Sequence, residues 1–340
     1  MTTGAAGPTP DAPVIVVGGG IAGLACARTL AEAEVPVRVI DRGRRLGGRM
    51  AVRDEDLSGG PHAVDIGASH FTVRDPRFVA VVEGWRERGM ARVWTDTFAM
   101  LTPDGPIGTT KGVPRWSSPG GLRTLVEDLA AGLPVTLATE VEEVDVDDGG
   151  LLVDGRPAAA VVLAMPEPQA YDLLPEPVAE RLGLGLGLDW NPVIAVWAAW
   201  ERRWWPTLDG AFVDGSSVVS WVADDGRRQA DDAAVLVVHT TGVFADERLD
   251  DPQSAVGPVL AELSTLLAAR PGGGRTPAPL WARAHRWSLA SPRHPHKRTF
   301  ALHDALVGVC GDAWGPRARV EQAWVSGHEL GQALVTRFAG

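Results

Sequence analysis

Cysteine, tyrosine and lysine are almost missing from this chain. Its 340 residues hold two cysteines, one tyrosine (Tyr171) and two lysines (Lys111 and Lys297). Cys26 and Cys310 stand 284 positions apart, which rules out a disulfide framework or a four-thiolate metal site. Positive charge is not in excess either. The formal net charge is -11, so there is no basic footprint for nucleic acid, and an anionic membrane surface would repel the chain. No stretch approaches the roughly 18 uninterrupted apolar residues of a spanning helix. Residues 1–13 carry neither the basic nor the apolar segment of a secretory signal, and residues 1–10 are expected to form a disordered tail. These absences lead to the expectation of a soluble, cytoplasmic protein with neither nucleic-acid nor membrane partners.

What is present suits a folded chain. Hydrophobic residues make up 45% and charged residues 22%, enough apolar material for a core. At roughly 150 residues per domain the length points to about two domains. Near the start, the apolar run at 13–17 is of the kind buried on both faces of a parallel sheet. A proline-free, alanine-rich helix is expected over 21–34 and a second strand over 37–41. Strand, glycine turn, helix and strand together form a right-handed crossover unit. Further along, helices are expected at 119–131, 252–270 and 320–337. Buried strands are expected at 135–137, 159–165 and 305–311. Residues 141–146 and 151–153 read as a ribbon joined by an Asp147-Asp148-Gly149-Gly150 turn. Between them, 192–200, 217–223 and 233–240 read as antiparallel strands.

The strongest motif is Gly18-x-Gly20-x-x-Gly23, set between the first strand and the first helix. Gly18 permits the tight turn, Gly20 leaves room for a pyrophosphate, and Gly23 lets the helix approach the sheet. The helix start, with Ile21 and Ala22, offers unpaired N–H groups to the diphosphate. Asp41 follows Gly23 by 18 residues, at the end of the second strand, where a carboxylate accepts bonds from ribose hydroxyls. This pattern identifies a dinucleotide without separating FAD from NAD, and Arg42 leaves a 2′-phosphate open.

The continuation Asp41-Arg42-Gly43-Arg44-Arg45-Leu46-Gly47-Gly48-Arg49-Met50 resembles the second FAD signature of the flavin amine oxidase superfamily. Residues 62–78 (HAVDIGASHFTVRDPRF) and 310–327 (CGDAWGPRARVEQAWVSG) are similar to the corresponding segments of renalase-like FAD-dependent oxidoreductases. Order and spacing of the motifs agree over about residues 13–335, with the middle matching in pattern rather than motif. The resemblance implies an α/β chain: a discontinuous Rossmann-type FAD-binding domain (11–75, 119–175, 300–338) interleaved with an α+β substrate domain on an antiparallel sheet (76–118, 176–299). It implies non-covalent FAD held by Gly18, Gly20, Ile21, Ala22, Gly23, Asp41, Arg42, Gly48, Arg49, Met50, Gly67, Ala68, Val141, Gly311, Asp312 and Val320. Within that set Arg49 is implied to reach the phosphates or the flavin edge, and Val141 to hold adenine through its backbone. Gly311 and Asp312 are implied to lie beside the ribityl chain. The helix beginning at Val320 would direct its positive end at the flavin N1–C2=O edge. Asp41 departs slightly, since family members often carry Glu there.

By the same resemblance the substrate is a small molecule: a reduced nicotinamide dinucleotide isomer or a similar flat ring, losing hydride to flavin N5, with O2 as acceptor and hydrogen peroxide released. Such a substrate needs orientation more than proton removal. One tyrosine cannot supply the tyrosine pair common in amine oxidases of the superfamily, although that activity, a desaturase, or flavin binding without turnover stay open as alternatives. Candidate catalytic residues are His70, as a fixed hydrogen-bond donor to substrate, with Phe71 beside it, and Trp287 as a flat wall. Most of the 13 tryptophans are expected in cores. Segment 293–298 and the pairs Arg202-Arg203 and Arg227-Arg228 read as solvated surface, His294-x-His296 lacks partners for a metal, and no metal is expected.

Overall fold

The computed structural model describes residue 9 and residues 12–57, 59–147, 150–185, 189–231, 233–268 and 276–340. They gather into two compact units. The first comprises Met1–Arg49, Val126–Asp189 and Ser291–Gly340, and the second Met50–Leu125 and Trp190–Ala290.

In the first unit the β-branched run Val14–Val17 is buried and pairs in parallel with Val37–Ile40 and with Ala160–Leu163. The sheet continues on one side through Val307–Val309 to Ala301–Leu302, and on the other to Val135–Thr136. Only the Ala301–Leu302 pairing is antiparallel. Helix Ile21–Glu32 is buried along most of its length, because helix Val320–Ala339 packs on it through glycines. A Cβ on Gly327 would overlap the Ala22 carbonyl, and one on Gly331 would stand 2.8 Å from Thr29 Cβ and 3.0 Å from the Cys26 carbonyl. Both cysteine thiols are buried nearby, which pushes Cys310 up to about 12 and Cys26 well above its usual value. A three-stranded ribbon, Val144–Asp147, Gly150–Val153 and Arg156–Ala158, completes the unit's strands among the described residues.

In the second unit a seven-stranded sheet runs in the order Trp281–Pro292, Trp190–Ala199, Val235–Thr240, Val219–Asp224, Gly210–Val213, Arg92–Thr102, Gly105–Ser117. It is antiparallel apart from the parallel pairing of Gly210–Val213 with Arg92–Thr102. Alternation along its central strands serves two cores. Ile194, Val196, Ala198, Leu236 and Val238 pack with Val259, Leu263 and Leu266 of helix Val256–Ala268. Ala195, Trp197, Ala199, Val235 and Val237 pack with Val64 and Ile66. The hairpin Val52–Leu57 with Gly60–Asp65 brings that second layer.

Several elements differ from expectation for local reasons. The helix expected over 119–131 is only Arg123–Leu129, because Gly120 and Gly121 take positive φ and donate their N–H groups to Gln229 Oε1 at 3.0 and 3.1 Å. The first helix stops at Glu32, since Glu34 turns left-handed. The strand expected from 141 starts at Val144, because the N–H groups of Glu142 and Glu143 are taken by Asp154 Oδ1. Residues 252–270 open as a 3-10 turn, Pro252–Ala255. Asp148, Gly149, the 271–274 loop and all of the 1–10 tail except Thr9 lie outside the described residues. The first boundary between compact units falls at 49/50 rather than 75/76, because residues 50–75 pair and pack within the second unit.

The glycine contact between the two long helices gives a direct test. Gly327→Val should cost about 1–3 kcal/mol by overpacking, measured by chemical denaturation, whereas a change at exposed Lys297 should stay within about 0.5 kcal/mol. Equal stabilities would show that the helices do not approach this closely.

Candidate functional site

The three glycines of the first turn do three different things. Gly18 has φ +114°, and a Cβ there would lie 2.5 Å from the Ala164 carbonyl oxygen. On Gly23 a Cβ would overlap the Gly18 carbonyl, so this glycine fixes how closely helix and turn approach. Gly20 has an ordinary extended backbone (φ -84°, ψ 176°), and a Cβ on it would meet nothing within 4 Å. It is therefore a glycine that packing does not require, at a helix start whose N-cap makes no side-chain bond. Ile21 and Ala22 form the first helical turn, and Gly48 (φ +53°) lies with its Cβ position 3.6 Å from the Gly20 Cα. A cradle of backbone N–H groups with an open face is what a diphosphate requires, so these residues fit a dinucleotide.

Asp41 stands just past Val37–Ile40 and closes the turn from the side. Its Oδ2 accepts from Gly19 N at 2.5 Å and its Oδ1 from Gly43 N at 2.6 Å. Each carboxylate oxygen keeps a further lone pair for a ribose hydroxyl. Val141 is buried near the start of the ribbon. Arg42 is mostly exposed and pairs with exposed Glu140 at 3.3 Å, an ion pair of little energetic weight.

Arg49 and Asp312, 263 residues apart, form a bidentate pair: Nη1 to Oδ2 at 2.9 Å and Nη2 to Oδ1 at 2.5 Å. The forked geometry matches guanidinium to carboxylate and fixes both side chains. Gly311, next to Asp312, donates its N–H to Ser326 Oγ at 3.0 Å, and Val320 opens the closing helix. Gly18, Gly20, Gly23, Asp41, Gly48, Arg49, Gly311 and Asp312 thus all belong to the first unit.

Met50, Gly67, Ala68, His70, Phe71 and Trp287 belong to the second. Residues 65–70 are pinned from several directions. Arg228 donates to the carbonyls of Asp65 (3.1 Å) and Ser69 (3.2 Å). The Asp65 carboxylate receives Leu122 N at 2.8 Å and Gln229 Nε2 at 3.0 Å. Trp287 Nε1 donates to the Ile66 carbonyl at 2.9 Å. His70 lies in an aromatic nest, with ring centroids 5.2 Å from Phe98, 5.8 Å from Trp221 and 6.3 Å from Trp94. Burial, then the Arg115, Arg228 and His239 charges, push its pKa down to about 3, so the ring is neutral.

The structure corrects four expectations. Phe71 does not join His70. It is 2% exposed and packs among Phe78, Trp85 and Trp116, because neighbours along an extended segment face opposite ways. Arg228 is not solvated surface but fully buried, paired with Asp225 and with Asp65, and Arg203 pairs with buried Asp224 at 2.9 Å. Within 293–298, Lys297 and His294 are exposed, yet His296 stacks on Trp314 at 4.0 Å and meets buried Glu167 at 3.1 Å. Sequence reasoning also missed His239. Alternation along Val235–Thr240 places it on the Val235 and Val237 face, towards Ile66, whose backbone it bonds. The period-two pattern was the available signal.

Comparison with known proteins bears on the family and the fold. The NAD(P)-binding Rossmann-like domain model matches residues 16–84, and the flavin containing amine oxidoreductase model matches residues 84–333. Cyclohexylamine oxidase from Brevibacterium oxydans IH-35A superposes with a TM-score of 0.71 at 14% identity, covering 97% of this chain and 100% of that one. Putrescine oxidase bound to putrescine gives 0.68 at 17%, covering 96% and 99%. A candidate protoporphyrinogen oxidase from Exiguobacterium sp. 255-15 gives 0.75 at 15%, covering 97% and 100%. At these identities the superpositions show a shared fold. Among the described residues no helix is long and apolar enough to cross a membrane.

Burial also pushes His239 down, to about 4 from 6.5. The unfolded chain therefore takes up protons on His70 and His239 below pH 6.5 that the folded chain refuses until about pH 3 to 4. Stability should fall as pH falls through that window, by about 1.4 kcal/mol per pH unit for each histidine. His239→Asn should make the slope between pH 6.5 and 4.5 shallower by one proton. The raised carboxyl of Asp65 acts with opposite sign in both proteins and cancels in the comparison. Denaturant titrations at three pH values measure this, and an unchanged slope would contradict it.

Proposed function

Because the chain belongs to the flavin-containing amine oxidoreductase family, we propose that it is a renalase-like, FAD-dependent oxidase of dihydronicotinamide isomers of NAD(P)H, acting in the cytoplasm. FAD, held without a covalent link, would supply a hydride acceptor and a route for the two electrons to O2, which with protons from the hydride and from solvent would give hydrogen peroxide. The glycine turn, with Ile21 and Ala22 at the helix start, takes the diphosphate, and Asp41 takes the adenosine ribose. Val141 borders the adenine. Arg49 and Asp312 hold each other rigid beside the ribityl chain and keep their charges balanced. The helix opening at Val320 carries partial positive charge at its start, which favours an anionic ring edge.

The observation that carries the substrate reading is the state of His70. Its imidazole is neutral at pH 7 and too weak a base to take a proton from an ammonium or a carbon. The nest around it offers flat aromatic faces instead. A dihydropyridine suits such a wall, since its ring nitrogen expels hydride, aromaticity is gained, and no base is required. Trp287, tied to the Ile66 carbonyl, supplies a further fixed flat surface.

Two measurements test this. Gly20→Val should cost no more than about 1 kcal/mol, since a Cβ there meets nothing within 4 Å and only the N-cap preference for glycine over valine is lost, while FAD retention by the purified protein should be lost. Rapid anaerobic mixing with 2- or 6-dihydronicotinamide dinucleotides should bleach the flavin band. Bleaching by amines and not by these compounds would replace the proposal with amine oxidation. A yellow protein that no donor reduces faster than it reduces free FAD would mark flavin binding without turnover.

A further inference from the structure

Among the described residues of the second unit, the side-chain atoms shielded from solvent and without a hydrogen-bond partner include five on neighbouring residues: Ser69 Oγ, His70 Nδ1, Trp94 Nε1, Trp221 Nε1 and His239 Nε2. Buried polar groups are nearly always satisfied, so an unsatisfied set gathered in one place calls for an explanation. This set is gathered. His70 rings with Trp94 and Trp221, Ser69 precedes it, and His239 lies directly across the sheet from Trp221.

The chemistry of the set is mixed in a definite way. The two indoles offer only N–H donors. His239 is neutral, and the bond it gives to the Ile66 backbone favours a protonated ring nitrogen. With Nε2 unpartnered, that bond belongs to Nδ1–H, and Nε2 is left as a bare lone pair. Charge nearby is positive: Arg115 lies over Phe98 at 4.1 Å and Arg228 is buried close by. The carboxylates that face Arg228, those of Asp65 and Asp225, are engaged with it.

We propose that Ser69, His70, Trp94, Trp221 and His239 form a recognition site for a primary carboxamide carried on a flat ring, the indole N–H groups meeting its carbonyl oxygen and His239 Nε2 accepting from its NH2 group. This deepens the proposed function and rests on it for the identity of the ring. A carboxylate in the same place has no N–H to give and sets negative charge against the His239 lone pair. An ammonium finds donors and guanidinium charge but no available carboxylate.

The test uses the FAD-loaded protein and three probes of one size: benzamide, benzoate and benzylamine, with binding measured by titration calorimetry. Benzamide should bind roughly tenfold more tightly than either of the others. His239→Asn keeps a group able to bond Ile66 but removes the acceptor at Nε2, and should weaken benzamide by roughly five- to tenfold while leaving benzoate unweakened. His239→Gln, which restores an acceptor at that reach, should recover part of the preference. Benzoate or benzylamine binding the wild-type protein as tightly as benzamide would overturn the inference, whether or not the variants fold, and so would an intact benzamide preference in a folded His239→Asn protein. The outcome is separable from the substrate reading. Benzamide preference without flavin reduction by dihydronicotinamides removes the proposed reaction and keeps the site, whereas reduction without the preference does the reverse.

Discussion

Backbone touching backbone is the constraint on which the first unit depends. The opening helix leans on its own turn where Gly23 meets the Gly18 carbonyl, and it meets the closing helix where Gly327 sits on the Ala22 carbonyl. A side chain at either point would lever the helix away from the sheet. The contact also fixes where the helix start points and leaves its N–H groups unpaired above Gly20. The affinity proposed for a dinucleotide would thus derive from a packing requirement: the same closeness that excludes a methyl group from Gly23 aims the helix N-terminus.

The second unit is organised around charge taken out of water. Arg228 is fully buried, paired with Asp65 and Asp225 and donating to two carbonyls of the segment it spans. Such a group contributes little net stability, yet removing one partner costs about 3–5 kcal/mol because the other charge is stranded. Its use here is geometric. It holds residues 65–69 at both ends while Trp287 and His239 hold the Ile66 carbonyl between them. A segment held at that many points presents Ser69 and His70 with little freedom, which is the condition for recognition by a few hydrogen bonds.

The two histidines show how burial sets chemistry. Desolvation is the largest cause of depression at both, and the neighbouring arginine charges add to it. The imidazoles are neutral hydrogen-bonding groups with fixed roles rather than proton carriers. The site proposed here would select by shape and by the direction of each hydrogen bond, which suits the proposed hydride loss.

By itself the sequence determined the crossover unit, the three glycines and the acid after the second strand, because each is a local demand on backbone conformation or spacing that residue type alone expresses; the late Gly311-Asp312 pair was only implied by the family resemblance. It also determined the alternating strands between Trp190 and Thr240, since period-two patterning is written along the chain. Tertiary structure decided the rest. That Arg49 clasps Asp312, that Arg228 is buried rather than solvated, that Phe71 turns away from His70 and that His239 reaches Ile66 all depend on partners distant in sequence, some of them more than a hundred residues away. Burial and charge pairing are properties of a place in space. No window along the chain contains them, and so the fold was largely legible while the burial and pairing of Arg228, Phe71 and His239 were not.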